Sequence, residues 1–191
     1  MSRDPSKYFV DGVRWPSVTE VLSFSGWSRF DHVDPEILRR AAERGTLVHE
    51  ATEQVDEGTF DWVNLREDLH GYIRAFEKFK NDYKYSVLKS EEVVLNHQYC
   101  FGGQYDRLCE LDGELTILDV KTSSKPSVSW GLQTAAYALA APEDIQKRVT
   151  LRLGDGNYDL NTWASPDDSR NFLDALKVVW AQVRAGVQRL K

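Results

Sequence analysis

Apolar positions recur with helical spacing over roughly the first 85 residues, then run and alternate as in strands, with helical spacing returning twice further on. The opening segment, Tyr8-Phe-Val-Asp11-Gly12-Val-Arg-Trp15, reads as a short hairpin turning at Asp11-Gly12. Ser17-Val-Thr-Glu20 has the form of a capping box and predicts a short helix that stops at Gly26. Asp34-Pro35-Glu36 predicts a longer helix to about Gly58, with the aspartate as cap and the proline where its missing N–H is not needed. Another helix is predicted from near Asn64, carrying Leu69, Ile73, Phe76 and Phe79 at helical spacing. Beyond it, 87–95, 99–111 and 114–121 read as three strands, the last two joined at Asp112-Gly113. Positions 129–141 are helical in composition, and 148–153 with 158–163 read as a hairpin around Gly154-Asp155-Gly156. The chain closes in an amphipathic helix with Phe172, Leu176, Val179, Val183, Val187 and Leu190 on one face. This order predicts an α/β (α+β) fold, a central mixed β-sheet flanked by helices, and not a doubly wound parallel sheet.

Composition narrows the class. A chain of 191 residues suits one domain, with an N-terminal hairpin and helices over 1–85, a core bearing the candidate chemistry over 86–141, and a closing hairpin and helix over 142–191. At this size roughly 70% of the unfolded chain's surface can be buried. The 41% hydrophobic and 12% aromatic content argues against disorder. The longest apolar run, 135–141, falls far short of the roughly 18 residues of a membrane span, so no membrane association is expected. Met1-Ser2-Arg3-Asp4-Pro5 has no hydrophobic signal region, and Cys100 and Cys109 suit neither a disulfide framework nor a structural zinc site, which predicts a reduced, cytoplasmic setting. The net charge of −6 excludes coating of nucleic acid by bulk positive charge and leaves room for a local basic cleft.

The richest segment is Glu114-Leu-Thr-Ile-Leu-Asp119-Val120-Lys121-Thr122. Leu115 and Ile117 point to one face of the strand and Leu118 and Val120 to the other, which marks a central strand buried on both sides. Asp119 and Lys121 share a face at its end. As an isolated string, Asp-x-Lys reads as a solvated strand terminus with an ion pair. The preceding strand holds Gly102-Gly103-Gln104-Tyr105-Asp106, and pairing through Asp112-Gly113 lets Asp106 approach Asp119. Two carboxylates that close repel unless a cation lies between them, and hard oxygen donors suit Mg²⁺ or Mn²⁺. The glycines beside Asp106 also read as a β-bulge. Upstream, Gly45, His49 and Glu53 share a helix face; a mid-helix glycine costs about 1 kcal/mol against alanine and hints at close approach. Gln133 and Tyr137 lie four apart on the helix after the third strand. Taken singly, His49 reads as a packed histidine and Tyr137 as a half-buried helix tyrosine.

Together, Gly45…His49, Glu91, Gly103…Asp106, Asp119-Val120-Lys121 and Gln133…Tyr137 stand in an order that resembles the RecB-type, lambda-exonuclease-like branch of the PD-(D/E)XK nucleases, including phage members, over roughly positions 8 to 140. The resemblance implies a restriction-endonuclease-like core. It implies His49, Asp106 and Asp119 as metal ligands with the Val120 carbonyl, Lys121 as the catalytic lysine, Glu91 (with Glu92 as its rival) as the acid of the first core strand, and Gln133 and Tyr137 as residues steadying the site and the DNA backbone. Position 119 is an aspartate where many members of the wider superfamily have glutamate. The cysteine quartet of iron–sulfur members is missing, so no such cluster is expected. Phosphate contacts are expected from a local basic rim: Arg44, Arg107 and Lys125, with Arg39 and Arg40 equally readable as a solvated helix face.

The expected function is a Mg²⁺- or Mn²⁺-dependent DNA nuclease, an exonuclease acting in recombination, repair or replication of phage or mobile-element type. The alternatives are a nuclease-like module that binds DNA without cutting and a sequence-specific endonuclease on the same fold. A homo-oligomer or a replication or recombination protein partner is compatible with either.

Overall fold

The computed structural model describes residues 5–29 and 33–190; the N-terminal segment read above for a signal region lies, for residues 1–4, outside the described residues. A small hairpin, β1 (Phe9–Val10) and β2 (Val13–Arg14), leads into α1 (Val18–Phe24). The Ser17 side chain accepts from the Glu20 amide and the Glu20 carboxylate accepts from the Ser17 amide, so the capping box is formed. Helix α2 (Pro35–Glu57) is capped by Asp34 and ends at Gly58, as its sequence predicts. Helix α3 (His70–Asp82) starts later than expected. Asn64 donates to Asp61 and so serves the preceding short turn, while Leu65 and Arg66 are extended, which postpones the helix to His70.

The central sheet has five strands in the order β3 (Tyr85–Ser90), β6 (Arg107–Leu111), β7 (Glu114–Lys121), β8 (Lys147–Leu153) and β9 (Tyr158–Thr162). The pairing of β7 with β8 is parallel, bridged by α4 (Ser129–Ala140); the other pairings are antiparallel, so the sheet is mixed. Helix α5 (Asp167–Arg184) closes the fold and ends before Val187, which is exposed; the six-residue apolar face expected there is four residues long. The Asp112-Gly113 turn joins β6 to β7 with both residues at positive φ, 54° and 87°, the backbone of a tight hairpin.

Two expected strands are each broken in two, and at the same level. The run 87–95 divides into β3 and β4 (Val93–Asn96), with Glu91 at φ +50° between them. The run 99–111 divides into β5 (Phe101–Gln104) and β6, with Tyr105 and Asp106 between them. The breaks stay bonded to each other: the Glu91 amide donates to the Asp106 carbonyl at 2.9 Å, and the Tyr105 amide to the Glu92 carbonyl at 3.2 Å. One long β-ribbon therefore bends, its far half pairing as β4 with β5 outside the central sheet.

Strand β7 has apolar side chains on both faces, and each face has its own core. Leu115 and Ile117 pack with α1, α4 and α5, including Val21, Tyr137, Phe172 and Val179. Leu118 and Val120 pack with α2 and α3, including Val48, Phe76 and Phe79. Helices thus cover both faces of the sheet. Among the described residues no helix is long and apolar enough to cross a membrane, and Cys100 and Cys109 are free thiols.

Gly103 sits where α4 crosses the ribbon. A Cβ there would lie 2.8 Å from the Tyr137 ring and 3.0 Å from Val18 Cγ2, both held in the core. Gly103→Ala is expected to lower the unfolding free energy by about 1–3 kcal/mol, the range for an extra methyl forced into a filled core. Urea denaturation measures it, and an unchanged midpoint would show that this contact is slack.

Candidate active site

Four elements deliver the candidate residues to one place. Helix α2 supplies His49 at its middle, the ribbon bend supplies Glu91 and Asp106, the end of β7 supplies Asp119 and Lys121, and α4 supplies Gln133 and Tyr137. The register pairs Arg107 with Leu118, so Asp106 stands opposite Asp119 one step beyond the paired residues of β6. Both carboxylates are buried, at 0% and 1% exposure.

His49 Nδ1 lies 3.5 Å from Asp106 Oδ2 and 3.8 Å from Glu91 Oε1. One donor atom from each of these three residues lies within 4.8 Å of the others. Asp106 Oδ2 also accepts from the Val120 amide at 2.7 Å. The Gln104 amide donates to the Glu91 carbonyl at 2.9 Å and to its carboxylate at 3.0 Å, which fixes Glu91, and not Glu92, beside His49. Glu91 sits in the bend past the end of β3 rather than within the strand.

Asp119 belongs to a second, adjoining group. Lys121 Nζ is 2.5 Å from Asp119 Oδ2 and donates to Gln133 Oε1 at 2.9 Å. Gln133 Nε2 donates to the Tyr137 hydroxyl at 2.8 Å and to Asp119 Oδ1 at 3.3 Å. The i, i+4 spacing of Gln133 and Tyr137 places both on the face of α4 that meets β7. Of the expected ligands, His49 and Asp106 stand together with Glu91 in one close donor group; Asp119 adjoins it, engaged by Lys121 and Gln133, and the Val120 amide donates to Asp106.

The electrostatics suit a cation. Burial alone would depress the His49 pKa, but Asp106, Glu91 and Asp119 outweigh it and hold the imidazole above its ordinary value. Burial pushes Asp119 above the usual carboxylate range, with Asp106 adding to the rise and Lys121 opposing it. Three carboxylates face the Lys121 ammonium and, behind Glu91, the Arg107 guanidinium, which is itself paired with Asp56. Two hard oxygens and an imidazole nitrogen at this spacing fit a divalent ion such as Mg²⁺ or Mn²⁺, with His49 deprotonated to ligate.

His49 and Asp106 separate two openings. On one side is a cleft of about 850 Å³, lined by Arg29, Arg44, Lys121 and Lys125 with Trp27 and Trp130. On the other is a pocket of about 160 Å³ lined by Glu50, Glu53 and Glu91. Arg44 and Lys125 are thus where a basic rim was expected, Arg44 also reaching the Thr122 carbonyl at 3.5 Å. Arg39 and Arg40 pair with Glu36 on the exposed face of α2. Arg107 corrects the expectation: it is fully buried and paired with Asp56 at 2.9 Å, so it cannot touch DNA. Gln104, two positions before Asp106, carries no sequence signal of its role, because its bond to Glu91 crosses the ribbon. Trp27 and Arg29 follow α1 in irregular backbone, where periodicity carries no signal.

The PD-(D/E)XK nuclease superfamily profile matches residues 28–187. Among solved structures, an alkaline exonuclease (LHK-Exo) from Laribacter hongkongensis is similar in fold, with a TM-score of 0.51 and 14% identity over 90% of this chain and 88% of that one. A structure described as SSO0001 has a TM-score of 0.40 and 14% identity over 78% of this chain and 72% of that one. No curated protein matches by sequence.

Both raised pKa values have the same consequence for stability. A histidine raised on folding stabilises below its unfolded pKa of about 6.5 and loses that contribution as pH climbs through the folded value. A carboxyl raised on folding likewise makes the folded state favour its protonated form, at a cost that grows with pH. With chelator present, the urea midpoint is therefore expected to fall as pH climbs above about 6.5. Added Mn²⁺ should reverse the trend, since its binding strengthens as His49 loses its proton. A flat chelated profile would refute the charge assignment.

Proposed function

The chain belongs to the PD-(D/E)XK nuclease superfamily, and from that premise we propose that it is a divalent-metal-dependent deoxyribonuclease that digests DNA from an end. The observation that carries the reading is the donor group of His49, Glu91 and Asp106 set against Asp119, Lys121 and Gln133 at the foot of a basic, aromatic cleft. End-directed digestion is the activity wanted in recombination, repair or replication, and it is consistent with a fold similar to one described as an alkaline exonuclease.

When bound, a divalent ion polarises the phosphoryl oxygen and lowers the pKa of coordinated water. His49, Glu91 and Asp106 hold it, with Asp119 as the neighbouring carboxylate on the Lys121 side. Lys121 orients the attacking water or offsets the charge that builds on the phosphate. Gln133 aims Lys121 by accepting from its ammonium, and the Tyr137 hydroxyl holds Gln133 by accepting from its amide. Arg44 and Lys125 bear on the backbone phosphates at the cleft mouth. Trp27, 39% exposed in a cleft lined by cations, offers a ring face that an unpaired base can cover and a paired base cannot.

Asp106→Ala should abolish cleavage in a protein that remains folded by circular dichroism, because it removes the carboxylate shared by His49 and the Val120 amide. Lys121→Met should lower the rate on the order of 10²-fold while calorimetric Mn²⁺ binding survives, since an ammonium is no ligand. Near-wild-type turnover by Lys121→Met would reduce the lysine to a structural ion pair.

End-labelled linear duplex should be degraded progressively with Mg²⁺, while covalently closed relaxed circles are spared. Activity should fall steeply with added salt as phosphate contacts are displaced. Discrete fragments from closed circles would establish an endonuclease instead.

A further inference from the structure

The buried Arg107 has a partner at each nitrogen, two of them on α2 and one in the ribbon bend. Nε donates to Asp56 Oδ2 on α2 at 2.9 Å. Nη1 donates to the Asp106 carbonyl at 2.8 Å and lies 3.8 Å from Glu91 Oε1. Nη2 reaches Thr52 Oγ1 at 3.5 Å, and that hydroxyl donates to the His49 carbonyl at 2.9 Å. One guanidinium thus meets the backbone of Asp106, the carboxylate of Glu91 and, through one hydroxyl, the turn of α2 that carries His49. Asp56 is braced from behind by Lys80 of α3 at 3.0 Å and by the Tyr85 hydroxyl of β3 at 3.1 Å. Burial, followed by the Asp56 charge, raises the Tyr85 pKa and keeps that hydroxyl a donor.

We infer that Arg107 is a positioning residue for the metal centre: it sets the mutual spacing of His49, Glu91 and Asp106, and Asp56 is the counter-charge that holds it in place. The inference rests on reading those three residues as the metal site. Guanidinium is a planar fork with donors in fixed directions, so it can span three partners at once; an ammonium is a point charge on a flexible stem and cannot. Asp56 matters as much as Arg107. Paired with it, the guanidinium contributes little net positive charge near the donor group. Unpaired, it would draw the Glu91 carboxylate toward itself and repel an arriving cation.

The two roles separate experimentally. Mn²⁺ is titrated by calorimetry into chelator-stripped wild type, Arg107→Lys, Asp56→Asn and Tyr85→Phe, with circular dichroism as the check on folding. Turnover and KM for DNA are then followed against Mn²⁺ concentration. Arg107→Lys and Asp56→Asn should each raise the Mn²⁺ Kd by about 10- to 100-fold, the range found when groups that hold metal ligands from behind are altered. KM for DNA at saturating Mn²⁺ should stay at the wild-type value, and Tyr85→Phe should weaken Mn²⁺ in the same direction but less. An unchanged Mn²⁺ Kd in folded Arg107→Lys overturns the inference. So does a raised KM with a shallower salt dependence, which would return Arg107 to the DNA surface. If both charge variants fail to fold, Tyr85→Phe decides: weakened Mn²⁺ affinity supports the inference and unchanged affinity overturns it. Wild type that binds no Mn²⁺ overturns instead the reading of the metal site beneath it.

Discussion

Two carboxylates, Asp106 and Asp119, are buried side by side where the central sheet ends, and the surrounding structure is arranged around that cost. An ion removed from water loses several kcal/mol even after relaxation, and a like charge beside it adds to the loss. Asp106 is answered by the Val120 amide and by His49, Asp119 by Lys121 and Gln133. The compensation is incomplete, as the upward displacement of the Asp119 pKa shows. On the proposed function, a divalent cation is the missing charge. The folded state then holds a deficit that metal binding would remove, which would tie its stability to its chemistry.

The bend of the β-ribbon explains how such an arrangement is reached. A straight antiparallel pair would carry Glu91 and Asp106 along the sheet edge, their side chains dictated by strict alternation. Breaking both strands at one level, while Glu91 and Asp106 stay joined through the backbone, turns two acidic side chains toward α2 together. The sheet supplies rigidity on one side of the break, since β7 is packed on both faces. The far half of the ribbon is held separately by β4–β5 pairing and by the close fit of Gly103 against Tyr137. Tyr137 is therefore placed by the same contact that brings the bend up to α4, and it hands that position on to Gln133 and Lys121.

Much of this could be read from local pattern. The two apolar faces of 114–121 marked a central strand, the capping box and Asp34-Pro35 placed two helix starts, and the Asp112-Gly113 turn put Asp106 opposite Asp119. The spacing of Gln133 and Tyr137 put them on one helix face. What escaped depends on non-local contacts. Alternation tells which way a side chain points within a strand, but not where a paired ribbon leaves its sheet, so the breaks at Glu91 and at Tyr105-Asp106 were invisible. Asn64 resembled a helix cap because caps and short turns use the same side-chain chemistry. Arg107 was placed at the rim because arginine is rarely buried, and its exception depends on Asp56, 51 residues earlier in the chain.

The two openings at His49 give the site a polarity that net charge conceals. A chain at −6 repels DNA at long range, but charges beyond about 8 Å are screened at physiological ionic strength, so the lining of the last few ångströms decides the approach. In the wide cleft the cations Arg29, Arg44, Lys121 and Lys125 outnumber the acids Asp106 and Asp119; in the small pocket the lining acids are Glu50, Glu53, Glu91 and Asp106. On the proposed function, a phosphate backbone is favoured from the cleft side and a small cation from the acidic side. The donor group lies on the boundary between the two, so on the proposed function a strand in the cleft would face the metal position with its phosphate leading and acidic protein behind.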